Sequence, residues 1–75
     1  MGRLKPLPFR EVKRRLQAAG FVETSQKGSH VKFMRYTEGV TDIAIVPRKH
    51  EIPLGTLRSI LSQAHIDPDD WDSLR

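Results

Sequence analysis

The sequence predicts an α+β fold, a two-layer sandwich of order α-β-β-β-α with both helices on one face of an antiparallel sheet and a short C-terminal helical turn. Three observations carry this expectation. Apolar residues recur at helical spacing near both ends of the chain, they alternate with polar ones in the middle, and turn-forming residues mark each change of period.

Pro6 and Pro8 precede the first helix. Phe9, Val12, Leu16 and Ala19 then share one helical face, while Arg10, Lys13, Arg14 and Gln17 fall on the others. Gly20 supplies a helix stop. Phe21 and Val22 open an extended segment that runs out in the polar cluster Ser25-Gln26-Lys27-Gly28. From Ser29 the period is two: Val31 and Phe33 project to one face and His30, Lys32, Met34 and Tyr36 to the other. Met34 and Tyr36 read equally well as packing beneath the C-terminal tail. Thr37-Glu38-Gly39 is a hairpin turn in which Gly39 is free to take positive φ. Ile43 and Ile45 share one face of the third strand, and Pro47 ends it because it has no N–H for the ladder. Residues 48–53 read as a polar loop. Leu57, Ile60, Leu61 and Ala64 form a second apolar helical stripe, starting between Pro53 and Thr56. In the tail, Asp67 suits an N-cap, Pro68 the first helical position, and Asp69 and Asp70 the positive end of the helix dipole. Trp71 and Leu74 are three apart and are expected to fold back onto the body.

With 75 residues, no linker and no internal repeat, the chain reads as one domain spanning residues 1–75. The absence of cysteine excludes disulfides, thiolate zinc sites and cysteine nucleophiles. The longest apolar run, Ile43-Ala44-Ile45-Val46, is far too short for a membrane span, so a soluble cytoplasmic protein with no membrane partner is expected. The net charge of +4 is unevenly spread: residues 1–35 carry +7, residues 36–66 balance, and residues 67–75 carry −3. Clustered Lys and Arg suit a phosphate-rich partner, and equally a solvated basic face.

The motifs of common enzyme classes are missing. His50-Glu51 begins like a zinc-protease helix, but Leu54 stands where the second histidine belongs. Gly28, Gly39 and Gly55 are isolated and make no phosphate-cradling loop. What remains is Lys27-Gly28-Ser29-His30 at the mouth of a strand, beside Lys32 and Arg35. Such a group suits RNA, which carries its own nucleophile in the 2′-hydroxyl. An enzyme then needs only to move protons, which histidine does near cellular pH, and to stabilise phosphorane charge. Lys27, Lys32 and the amides of Gly28 and Ser29 would hold the phosphate without a metal. Against this, a single histidine on an open strand face is ordinarily a polar surface residue.

The run Gly28-Ser29-His30, followed by a hydrophobic strand, resembles the HicA toxins of bacterial and archaeal toxin–antitoxin systems. So do Glu51-Ile52-Pro53-Leu54-Gly55-Thr56-Leu57-Arg58-Ser59-Ile60-Leu61-Ser62-Gln63-Ala64 and the basic helix ending in Gly20-Phe21. Agreement covers residues 7–66, leaving 67–75 as an acidic appendage. The resemblance implies a fold like a double-stranded-RNA-binding domain and an endoribonuclease that cleaves messenger RNA and arrests translation. It implies His30 as the catalytic residue and a HicB-like antitoxin that masks the active site; no cofactor is expected. Two positions depart from the family: where it often carries histidine two residues after the strand-ending proline, this chain has Lys49, and His50 follows; and where the helix end usually carries glycine before the final hydrophobe, this chain has His65 before Ile66, which reads as a helix terminus rather than a ligand. His50 or a water is then the candidate second proton carrier, and Lys27, Lys32, Arg35, Arg48 and Lys49 are the candidate phosphate contacts. Two other readings use the same residues: a non-catalytic RNA-binding module of the same fold, and a protein-interaction module for an acidic partner.

Overall fold

The computed structural model describes residues 4–74. Helix α1 (Phe9–Ala18) starts directly after Pro8, whose extended backbone and missing N–H suit the position before a helix. Strands β1 (Val22–Lys27), β2 (His30–Thr37) and β3 (Val40–Pro47) follow, then α2 (Leu54–Ala64) and the single-turn α3 (Pro68–Trp71). The strands form one antiparallel sheet in the order β1-β2-β3. This is the α-β-β-β-α two-layer topology of double-stranded-RNA-binding domains.

Register decides which residues face the helices. Val31 stands opposite Val46 and Phe33 opposite Ala44, and all four are fully buried. With them are Val12 and Leu16 of α1, Leu57, Ile60, Leu61 and Ala64 of α2, and Trp71 of α3. Each large apolar side chain in that layer contributes roughly 1.5–3 kcal/mol by leaving water. The other sheet face is uncovered: His30, Lys32, Met34 and Tyr36 of β2 lie beside Ile43 and Ile45 of β3 and Val22 of β1. Tyr36 is 75% and Val22 63% exposed. The tail does not lie over this face. Arg15 of α1 holds α3, donating to the Trp71 carbonyl at 3.1 Å with its guanidinium over the indole, so the half-buried Met34 and the exposed Tyr36 do not pack beneath the tail.

Two elements differ from the pattern in the sequence. β1 continues through the polar cluster to Lys27, because it is an edge strand exposed on both faces and needs no alternation. A register shift between Glu23 and Ser25 breaks its pairing. Residues 48–53 are not wholly a polar loop: Ile52 is fully buried and forms an antiparallel bridge with Leu7, tying the chain before α1 to the approach of α2. The tail turn forms as its capping residues require, with the Asp67 carboxylate accepting from the Asp69 N–H at 2.8 Å. Among the described residues no helix is long and apolar enough to cross a membrane.

Candidate functional site

The β1–β2 connection is a two-residue loop, Gly28-Ser29. Its first position has φ +60°, a left-handed conformation that glycine adopts without strain. No atom lies within 4 Å of where a Cβ on Gly28 would stand, so the requirement is conformational rather than steric. The tight turn sets Lys27 directly opposite His30, the first residue of β2. Lys32 follows two residues later on the same face, across from Ser25 on one side and Ile45 on the other. Ser25, Lys27, Gly28, His30, Lys32 and Ile45 line a shallow cleft of about 680 Å³ on the uncovered sheet face. The sequence-predicted residues Lys27, Gly28, Ser29, His30 and Lys32 are therefore brought together, all on or beside one turn. A histidine between two ammonium groups in an open cleft can pass a proton to or from a bound anion.

Arg48, Lys49 and His50 lie beyond the end of β3. The Arg48 N–H donates to the Ser29 carbonyl at 2.7 Å, so this segment abuts the turn that carries His30. His30 itself stands opposite Pro47 in the register. The Arg48 guanidinium stacks over the Phe9 ring, 4.9 Å from its centroid, and the Lys49 carbonyl accepts from the Phe9 N–H at 3.1 Å. Here the start of α1 meets the β3–α2 connection, and Pro8, Phe9, Arg10, Arg48, Lys49 and His50 line a second cleft of about 410 Å³. Lys49 and His50 therefore face this second cleft rather than the one that contains His30. Arg10 was not legible as a site residue. Its neighbours are contributed from almost forty positions away, and helical spacing alone marks it only as solvent-facing.

Arg35 stands apart from both clefts. It shares the parity of Val31 and Phe33, and its side chain points to the helix layer. One guanidinium nitrogen donates to the Ala19 carbonyl at 3.1 Å; the other donates to the Ala64 carbonyl at 3.1 Å and to Asp42 Oδ2 at 2.9 Å. The same guanidinium lies 4.6 Å from the Phe21 ring centroid. Arg35 thus closes the C-terminal ends of both long helices onto β3, where unsatisfied carbonyls favour a cation. The Asp42 side chain is only 8% exposed, and its second oxygen lies 2.8 Å from Nδ1 of His65, which occupies the left-handed C-cap position of α2. The hydrogen bond from Arg35 holds the Asp42 carboxyl below its ordinary value, with a smaller contribution from His65. His65 is thus a helix-terminal partner of a buried carboxylate.

The cations divide by their partners. Lys13 pairs with Glu23, Arg14 and Arg15 pair with Glu11, and Arg35 pairs with Asp42. Among the described residues, no carboxylate lies within ion-pair distance of Arg10, Lys27, Lys32, Arg48 or Lys49, the five cations of the two clefts. No three His, Asp or Glu side chains among the described residues converge as metal ligands.

Against known proteins, a family model described as the HicA toxin of bacterial toxin–antitoxin systems matches residues 9–66, well over half of the chain. No match was found among curated proteins.

Proposed function

Because the chain belongs to the HicA toxin family of bacterial toxin–antitoxin systems, we propose that it is a metal-independent endoribonuclease that cleaves messenger RNA and so arrests translation. The observation that carries this reading is the position of His30: first residue of β2, exposed, facing Lys27 across the turn and flanked by Lys32, in a cleft wide enough for a phosphodiester. RNA supplies the nucleophile. The 2′-oxygen attacks the adjacent phosphorus, the bond to the 5′-oxygen breaks, and the products are a 2′,3′-cyclic phosphate and a 5′-hydroxyl. His30 serves one of the two proton transfers, taking the 2′-hydroxyl proton or delivering one to the departing 5′-oxygen. Such transfer is typically worth about 10²–10⁴ in rate. The other proton passes through a water, because His50, the other candidate, lines the second cleft and not the one that contains His30.

Lys27 and Lys32 neutralise the phosphorane, and the Gly28 and Ser29 amides approach it because the turn has no side chain at Gly28. Arg48, fixed on Phe9, and Lys49 extend the phosphate contacts. Arg35 is left out of them, since its guanidinium is engaged with Asp42 and two helix ends. Membership of a toxin–antitoxin family implies an antitoxin partner. On this reading it is a HicB-like protein that masks the His30 cleft.

The test is cleavage of a long single-stranded RNA in EDTA by wild type and by His30→Ala prepared in parallel. Cleavage by wild type alone, ending in cyclic phosphate, is the expected result. Equal cleavage by both variants sinks the assignment of His30. RNA binding without cleavage by either variant moves the reading to a non-catalytic RNA-binding module.

A further inference from the structure

We infer that the second cleft, formed by Arg10, Arg48, Lys49 and His50, is a distinct phosphate subsite that holds the RNA strand beyond the scissile phosphodiester. The inference rests on the ribonuclease reading for the identity of its ligand, but its observations are separate. The cleft has its own volume, about 410 Å³, and shares no lining residue with the cleft around His30. Its three basic side chains come from the start of α1 and from the β3–α2 connection, and among the described residues none has a carboxylate partner. Like charges are costly to gather on a small domain without a counter-ion, so three converging cations call for an anion.

The cleft is also organised in advance. Arg48 is stacked on Phe9, and the Lys49 backbone is pinned by the Phe9 N–H. That hydrogen bond occupies the first amide of α1, so the side chains rather than the helix end supply the site.

The seam between the clefts fixes the ligand class. Arg48 is bonded to Ser29, next to His30, and Lys49 lies two residues past the partner of His30. With strands about 5 Å apart and about 3.3 Å per residue along the chain, the clefts are close enough to be bridged by successive phosphodiesters of one strand. A mononucleotide or an unphosphorylated dinucleotide carries one phosphate and so occupies one phosphate site at a time. A longer single strand reaches both, and its added affinity is electrostatic.

The test compares the binding of 2′-O-methyl RNA, which cannot cyclise, as a dinucleotide and as an octanucleotide, over a range of salt. The proteins are wild type, Arg10→Gln/Lys49→Gln, and the charge-matched control Lys5→Gln/Arg58→Gln. Wild type should favour the octanucleotide. The cleft variant should lose that preference, with the slope of log affinity against log salt shrinking by about 0.7 for each phosphate contact removed. The control should keep both. A cleft variant that retains the wild-type length preference overturns the inference, and so does an equal loss in the control, which would mean diffuse attraction. If the preference is lost as expected while unmodified RNA is not cleaved by wild type, the subsite stands and the ribonuclease reading falls.

Discussion

Replacing Arg35 by alanine separates two roles for one cation. In the alternation of β2 it lies on the helix side, where it donates to Ala19, Ala64 and Asp42. Its side chain is 23% exposed and that of Asp42 is 8% exposed. Removing the guanidinium leaves two helix-terminal carbonyls and a buried carboxylate without their donor. Breaking a buried ion pair from one side costs about 3–5 kcal/mol. The partial exposure of Arg35 and the remaining contact from His65 put this case at about 3 kcal/mol. A domain of this size has a total stability of roughly 4–11 kcal/mol, so the loss is a large part of it. At about 4–8 °C per kcal/mol, the melting temperature should fall by about 12–24 °C. Urea denaturation of wild type, Arg35→Ala and Arg35→Ala/Asp42→Asn measures the loss directly. The double variant should recover part of it, because an amide is cheaper to bury than an unpaired carboxylate. Lys32→Ala, on the uncovered face, should stay within about 0.5 kcal/mol of wild type while weakening RNA binding. The reasoning is refuted if Arg35→Ala keeps its full stability and instead loses RNA affinity, for then the residue contacts phosphate and does not brace the fold.

Other perturbations test other parts of the same architecture. Glu38 sits in the β2–β3 turn at φ +49°, next to Gly39 at +82°, a pair of left-handed residues that favours Asn-Gly; Glu38→Asn should stabilise the protein by about 0.5–1 kcal/mol in urea melts. Asp42 has a lowered folded pKa, so its contribution to stability is complete above its unfolded value and disappears as pH falls through the folded one. Thermal melts taken downward from pH 6 should therefore show an acid-side loss that is smaller in Asp42→Asn. Trp71 is 1% exposed although it lies in the last turn of the chain; Trp71→Ala should cost about 3–5 kcal/mol, and a small effect would mean that α3 is dispensable to the core.

Much of the fold is legible in the chain because it follows from periodicity. The stripes Val12-Leu16 and Leu57-Ile60-Leu61-Ala64 and the alternation Val31-Phe33 are the buried residues themselves. The side-chain cap of Asp67 is local chemistry and needs no tertiary information. β1 is harder to read, since an edge strand exposed on both faces carries no alternation to mark its length. The bridge between Leu7 and Ile52 joins positions far apart in sequence, and a single apolar residue after Arg48-Lys49-His50-Glu51 carries no periodicity to mark it as buried. Arg35 is the instructive case. Its parity with Val31 and Phe33 already placed it toward the core, but a charge there is credible only once Asp42 and two helix ends are known to meet it. Adjacency to His30 in sequence suggested a shared surface, and the pleat separates them.

The net charge acquires meaning only after the pairing is known. The +7 of residues 1–35 reads as one basic block, yet Lys13, Arg14, Arg15 and Arg35 are held by carboxylates, and Arg15 and Arg35 brace the fold. Of the block's other described cations, Arg10, Lys27 and Lys32 line the two clefts. Their side chains, like that of His30, lie outside the buried layer. It follows that the candidate site adds little to folding, and His30→Ala should change stability by no more than about 0.5 kcal/mol. Circular dichroism melts of the two proteins check this. A neutral melt makes lost cleavage in that variant a statement about chemistry; a shift above about 1 kcal/mol would show that His30 supports the hairpin and that its activity assay measures folding instead.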